Sequence, residues 1–196
     1  MKYHQIKRIT QIVITVASIN LMGCGDDDRS LFSTSKDSKI ATKPSYEGER
    51  LNGIPHGKGI FTFPNGARYE GQLTNGKPNG FGVNLFANGD RYEGEYLKGK
   101  SHGQGKITMK SGSSYEGTWQ EGMMEGKGTY SYADGRRYEG DFHFSEIEGT
   151  GIMTYPDESR YEGEFKHGKR NGRGRVLLAE GKEYEADFRD DKPNGV

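Results

Sequence analysis

Cysteine is nearly absent: Cys24 is the one copy in 196 residues, so neither a disulfide framework nor a thiolate-rich metal site is available. Aliphatic side chains are also scarce. Hydrophobic residues make up 31 % of the chain and its mean hydropathy is −0.94, too little apolar content for a layered globular core. Charge has no dominant sign, with 28 Lys and Arg against 28 Asp and Glu, which removes any net attraction to nucleic acid or an anionic surface. The longest apolar stretch, Ile9 to Met22, falls well short of the ~20 residues a helix needs to cross a bilayer.

What remains is glycine and rings. The chain holds 31 Gly, 12 Tyr and 9 Phe, more aromatic content than a disordered chain carries, and one tryptophan, Trp119. Tyr46, Tyr69, Tyr92, Tyr115, Tyr138, Tyr161 and Tyr184 succeed one another every 23 residues. Counting each unit from its Tyr as position 1, glycine recurs at positions 3, 8, 12, 14 and 21. Those positions hold every glycine except Gly23 and Gly25. A fixed period of this length marks a repeat architecture.

The unit reads as a β-hairpin. Position 21 glycines follow Asn65, Asn88, Ser111, Asp134 and Glu180, and the Asn-Gly and Asp-Gly pairs favour tight hairpin turns. Strands are expected on either side, Gly59–Phe63 before the first such turn and Arg68–Leu73 after it. Period 2 puts positions 1, 3 and 5 on the same face as positions 14, 16 and 18, so glycines leave room for neighbouring rings. One hairpin is not stable alone, but stacked hairpins bury a continuous face. Six complete hairpins predict about 12 strands and a twisted sheet roughly 55–60 Å long. The end units depart from the pattern, with Arg50 where later units carry Leu73 or a ring, and Ala186 in place of glycine. Charges at Glu185, Asp187 and Arg189 oppose edge-to-edge pairing. Unit 5, with Ser145 at position 8 and Glu158 at position 21, is expected to bend or to hold a looser hairpin.

The unit Tyr-Glu-Gly-x-aromatic-x-x-Gly-x-x-His-Gly-x-Gly, followed by a turn such as Asp-Gly, resembles the MORN repeat. Tyr92-Glu93-Gly94-Glu95-Tyr96 through His102-Gly103-Gln104-Gly105 is close to a full copy. The resemblance covers residues 46–196, as six full units and a partial seventh. Choline- or glucan-binding wall repeats are richer in tryptophan. The MORN resemblance implies an all-β fold, an elongated single-layer sheet used for protein or phospholipid contacts, and no particular reaction.

The first residues have a different character. Lys2, Lys7 and Arg8 form a basic head, the weakly apolar run follows, and Leu21-Met22-Gly23-Cys24 closes it. This order describes a secretory signal, and its end resembles a bacterial lipobox. Residues 1–23 are therefore expected to be a lipoprotein signal peptide, with Cys24 as the lipidated first residue of the mature chain; an ordinary signal peptide is the alternative. Residues 24–45, in which Gly25-Asp26-Asp27-Asp28 directly follow the cysteine, read as a flexible polar tether with a reach of roughly 25 Å.

Candidate sites are few. Arginine at position 23 (Arg68, Arg91, Arg137, Arg160) could line a phosphate stripe, but glutamate at position 2 shares its face, so cross-strand ion pairing is the stronger expectation. Lys166, Lys169, Arg170, Arg173 and Arg175 read as one basic loop able to hold an anion or an acidic partner, or simply as solvated charge. His56 and His102 share position 11 with Asn and Glu, which argues for a polar loop role rather than metal ligation. Trp119, Tyr96 and Phe142 fit a stacked core better than an exposed binding face.

No catalytic constellation has a recognisable context, and the Gly-x-Gly pairs lack the strand-to-helix setting of a dinucleotide site. The expected function is that of a non-enzymatic, lipid-anchored scaffold in the bacterial cell envelope, without a cofactor or metal, whose repeat sheet binds envelope proteins. Phospholipid headgroups are the alternative ligand, and cell-wall glycan a weaker one. Nucleic acid is not an expected partner.

Overall fold

A computed structural model describes residues 43–194; the expected signal segment, Cys24 and the tether up to residue 42 lie outside the described residues. Short strands of seven residues begin each unit: Ser45–Leu51 (β1), Arg68–Thr74 (β3), Arg91–Leu97 (β5), Ser114–Gln120 (β7), Arg137–His143 (β9), Arg160–Lys166 (β11) and Glu183–Arg189 (β13). Strands of nine residues alternate with them: Ile54–Thr62 (β2), Lys77–Leu85 (β4), Lys100–Thr108 (β6), Met123–Ser131 (β8), Glu146–Thr154 (β10) and Lys169–Leu177 (β12). Lys192–Pro193 (β14) completes one antiparallel 14-stranded sheet in which every strand pairs with its neighbours in sequence. At about 4.8 Å per strand the sheet is about 60 Å long. The two strands beyond the expected number come from the partial seventh unit.

Two kinds of turn alternate. The tighter one is at positions 7 and 8, where Asn75 (φ 50°) and Gly76 (φ 74°) form a two-residue connection with both residues left-handed, the pattern of a type I′ turn. The Asn-Gly pairs expected to make tight turns lie instead in three-residue connections. There Phe63 N–H donates to Ala67 O, Gly66 N–H donates to Phe63 O, and only Gly66 has positive φ, at 85°. Asn65 contributes its side chain, whose Oδ1 accepts from Ala67 N–H at 3.1 Å. Unit 5 does not bend. Phe144 (φ 47°) and Ser145 (φ 65°) keep the same tight turn, and β9 and β10 keep the standard lengths.

The inner face holds the core, and its centre is a row of glycines. Gly48, Gly59, Gly71, Gly82, Gly94, Gly105, Gly117, Gly128, Gly140, Gly151, Gly163 and Gly174 are paired in unbroken register from β1 to β12, ending opposite Ala186 in β13. The repeat tyrosines from Tyr46 to Tyr161 lie across this row. A Cβ at Gly105 would stand 2.3 Å from the Tyr92 hydroxyl. The hydroxyls end on main-chain carbonyls of position 4: Tyr69 donates to Gln72 O at 2.7 Å and Tyr115 to Thr118 O at 2.9 Å. From Tyr92 to Tyr161, each ring then meets the position 5 ring of its own unit and of the next one, edge-on. Tyr92 lies 5.1 Å from Tyr96 and 5.2 Å from Trp119, and Tyr115 repeats the pattern with Trp119 and Phe142. Such contacts contribute about 1 kcal/mol each beyond area burial. The result is an aromatic ladder that buries itself on a single-layer sheet.

Candidate interaction surfaces

Adjacent units are joined at the tight turns. The N–H of position 8 donates to the carbonyl of position 10 one unit earlier: Gly76 to Pro55 at 2.8 Å, Gly122 to Ser101 at 3.0 Å and Ser145 to Met124 at 2.9 Å. Ser145 also accepts the Met124 N–H on its Oγ at 3.1 Å, and Asp191 does the same for Arg170 at 2.9 Å. A serine in place of the usual glycine therefore ties unit 5 more closely to unit 4. Position 11 belongs to the same joint. Asn79 Oδ1 accepts Lys98 N–H at 3.2 Å, and Glu125 accepts Phe144 N–H at 3.0 Å. His56 and His102 occupy this place in β2 and β6, with Nδ1 buried. They stand in strands rather than in the loops expected of them.

The rings at positions 1 and 5 from Tyr69 to Phe165 are buried and not free to stack on a flat ligand. Trp119 is 1 % exposed, and Tyr96 and Phe142 are equally enclosed, so stacking of a sugar on Trp119 is ruled out by burial. The Trp119 indole N–H is spent on Gly105 O at 3.0 Å.

The outer face is polar and ordered in rows. Arg68 binds Glu70 at 2.8 Å, Arg91 binds Glu93 at 2.6 Å, Arg137 binds Glu139 at 2.7 Å and Arg160 binds Glu162 at 3.1 Å. These pairs run along one strand, two residues apart, rather than across strands as expected. Position 4, unmarked in the sequence pattern, has a clear task. Between positions 3 and 5 the register slips, leaving the N–H of position 13 without a ladder partner, and the position 4 side chain accepts it. Gln72 takes Phe81 N–H at 2.9 Å, Glu95 takes Gln104 N–H at 3.1 Å and Asp141 takes Thr150 N–H at 2.9 Å. The signal was present as an acceptor recurring at position 4 in Glu49, Gln72, Glu95, Asp141 and Glu164.

The basic residues 166–175 are not one loop. Lys166 ends β11, His167 and Gly168 form a tight turn, and the others lie on β12. Lys169 binds Asp190 at 3.1 Å, Arg173 binds Glu185 at 2.7 Å and Arg175 binds Glu183. The hydrogen bonds these arginines donate to the two glutamates raise the pKa of both guanidinium groups. Arg170 points to the inner face, on Asp191 and 4.8 Å over the Phe188 ring. Lys166 has no carboxylate partner among the described residues, and with His167, Asn171 and Arg189 it lines a shallow depression of about 590 Å³. The five cations thus split between two faces and one rim.

The family model for the MORN repeat matches residues 46–68, 69–91, 92–114, 115–136, 138–160, 161–182 and 184–196. The chain belongs to the MORN repeat family. Its MORN units coincide with the structural units, and the first six open at the tyrosine that covers the glycine row. No curated protein matches the chain. Among solved structures, the TCP domain of SAS-4 (dCPAP) from Drosophila melanogaster, in complex with a proline-rich motif of Ana2 (dSTIL), is similar at 13 % identity. That match covers 82 % of this chain and 98 % of that one, with a TM-score of 0.41. The TCP10 domain of Danio rerio CPAP, in complex with a STIL peptide, is similar at 20 % identity over 72 % and 68 % of the two chains, with a TM-score of 0.30. At these scores neither likeness carries an argument about the partners of this MORN array.

Proposed function

We propose that the chain is a non-enzymatic scaffold, held at the bacterial cell envelope by a lipid on Cys24, that presents its outer sheet face to a protein partner. The observation that carries this reading is the single-layer geometry: one face buries itself in the aromatic ladder, and the other is open to solvent along about 60 Å. Specific interfaces take roughly 800 Å² from each partner, and an open face of this length offers that area without rearrangement. The anchor reading is supported by Leu21-Met22-Gly23-Cys24 at the end of a basic and apolar leader. The non-enzymatic reading is supported by what the polar groups already do. Lys100 holds the Glu121 carboxyl, and Lys169 the Asp190 carboxyl, below the usual carboxylate range, the opposite of a poised general acid. Cross-linking in intact cells, followed by recovery of the chain from solubilised envelope, is expected to yield a defined envelope protein. Recovery of general chaperones alone would contradict the reading.

One observation favours a second reading, contact with phospholipid headgroups. The tight-turn rim carries Lys77, Lys98, Lys166, Arg189 and Lys192, none in a direct salt bridge among the described residues, beside exposed Leu51, Ile54, Leu97 and Phe144. Flotation of residues 46–196 with anionic liposomes, weakened by salt, is the expected result of that reading; absence of flotation at low salt removes it.

A further inference from the structure

The repeat supplies its own control for what the fold requires. On the outer face, positions 13, 15 and 17 read Lys58-Ile60-Thr62 in β2, Gln104-Lys106-Thr108 in β6 and Lys127-Thr129-Ser131 in β8. They read Thr150-Ile152-Thr154 in β10 and Arg173-Arg175-Leu177 in β12. Only β4 is apolar at all three, with Phe81, Val83 and Leu85. Polar side chains build the same nine-residue strand elsewhere, so the sheet does not need these three. Phe81 is 53 % exposed and Leu85 42 %. Residues two apart on one strand give a stripe about 14 Å long.

Beside the stripe lies a shallow depression of about 500 Å³. Its floor is the main chain of Gly48, Gly59 and Gly71, and its walls are Glu47, Lys58, Ile60, Glu70, Gln72 and Phe81. Glu47 and Glu70 flank Ile60 in register. Glu70 is held by Arg68 at 2.8 Å, whereas Glu47 has no cationic partner among the described residues.

We infer that the β4 stripe and this depression form a docking site for a partner segment carrying one arginine beside apolar residues. The inference rests on the scaffold reading above. A guanidinium in the depression stacks on the Phe81 ring and pairs with the free Glu47 carboxylate, while its methylene stem packs on Ile60. The neighbouring apolar residues of the segment cover Val83 and Leu85. Lys58, the one cation in the wall, opposes a polybasic run and selects a single positive charge.

The test is selection of short random peptides displayed on phage against the full chain. Enriched peptides are expected to share an arginine next to Leu, Ile or Phe. The best of them, made synthetically, should bind the Phe81→Gln, Leu85→Thr double variant, and separately Glu47→Lys, about tenfold more weakly or worse. Thr129→Lys on β8 should leave affinity unchanged. The double variant takes the residues of unit 3, so its circular dichroism and melting should match the parent. Peptides that bind the double variant as tightly as the parent overturn this site and leave the scaffold reading standing. Failure to enrich any peptide family overturns the site as well, and the envelope cross-linking then judges the scaffold reading separately.

Discussion

Replacing Gly105 with alanine is expected to evict the Tyr92 ring from the sheet. The new Cβ would stand 2.3 Å from the Tyr92 hydroxyl and 2.7 Å from Cζ, and the slot has no slack because Tyr92 is fully buried. Gly105 does not have a positive φ, so the cost is steric rather than conformational. Eviction forfeits the burial of one large ring, two edge-on contacts at 5.1 and 5.2 Å, and the hydroxyl bond to Glu95 O at 3.0 Å. Those losses, less the stabilisation alanine brings by restricting the unfolded chain, come to about 4 kcal/mol. In the last unit, where Ala186 takes a place in the glycine row and only the two-residue β14 follows among the described residues, Tyr184 is 44 % exposed. Urea unfolding followed by Trp119 fluorescence reports directly, since Trp119 packs against Tyr92. The control is Gly99→Ala, where φ is +88° and nothing lies within 4 Å, for which backbone strain alone predicts about 1 kcal/mol. In the Gly105→Ala background, Tyr92→Ala should add little. If Gly105→Ala costs no more than Gly99→Ala, the account of the glycine row is wrong.

Three further perturbations follow from the same geometry. Burial raises the pKa of Tyr161 to about 12 and pushes Tyr69, Tyr92, Tyr115 and Tyr138 higher still. Because these folded-state values exceed the unfolded value near 10, their contribution to stability is complete below pH 10 and is lost as pH rises through 12. Phenolate absorbance from these rings should therefore appear together with loss of the sheet's circular dichroism, and phenolates forming in an intact sheet would refute this. Glu95→Ala removes the acceptor of Gln104 N–H and should cost about 1 kcal/mol, whereas Glu93→Gln, two residues away on the same face, breaks only an exposed pair with Arg91 and should cost below about 0.5 kcal/mol. Equal urea midpoints for the two variants would contradict the division of labour between positions 2 and 4. Ser145→Ala keeps the left-handed backbone strain but leaves the buried Met124 N–H without its side-chain acceptor, so a loss of about 2 kcal/mol is expected in the same assay.

Much of the fold was legible because the period, the rings and the glycines are coupled by sterics. Tyr at position 1 with Gly at positions 3 and 14 implies a ring lying over a strand pair, and the structure extends that to one row across twelve glycines. Less legible was anything set by hydrogen-bond register. Asn-Gly is a good tight-turn signal in isolation, but here Asn65 is used for its side-chain acceptor, while His167-Gly168 and even Phe144-Ser145 take the type I′ geometry because strand pairing on both sides imposes it. The same register slip gives Glu49, Gln72 and Glu95 their role, which residue type alone does not distinguish from the exposed Glu at position 2. Basic residues close in sequence, such as Arg170 and Arg173, form one cluster in the sequence, yet alternation along β12 sends them to opposite faces. Phe81 was hidden among many rings, and only its outward position in β4 sets it apart.

The scaffold reading depends first on the chain being anchored where envelope partners are. Intact-mass and fractionation analysis of the wild type and of Cys24→Ser, expressed in a bacterial host, tests this most directly. The account predicts a mature wild-type mass beginning at Cys24 with added lipid, in the membrane fraction, and loss of both features in the variant. An unlipidated, soluble product from both chains would contradict it.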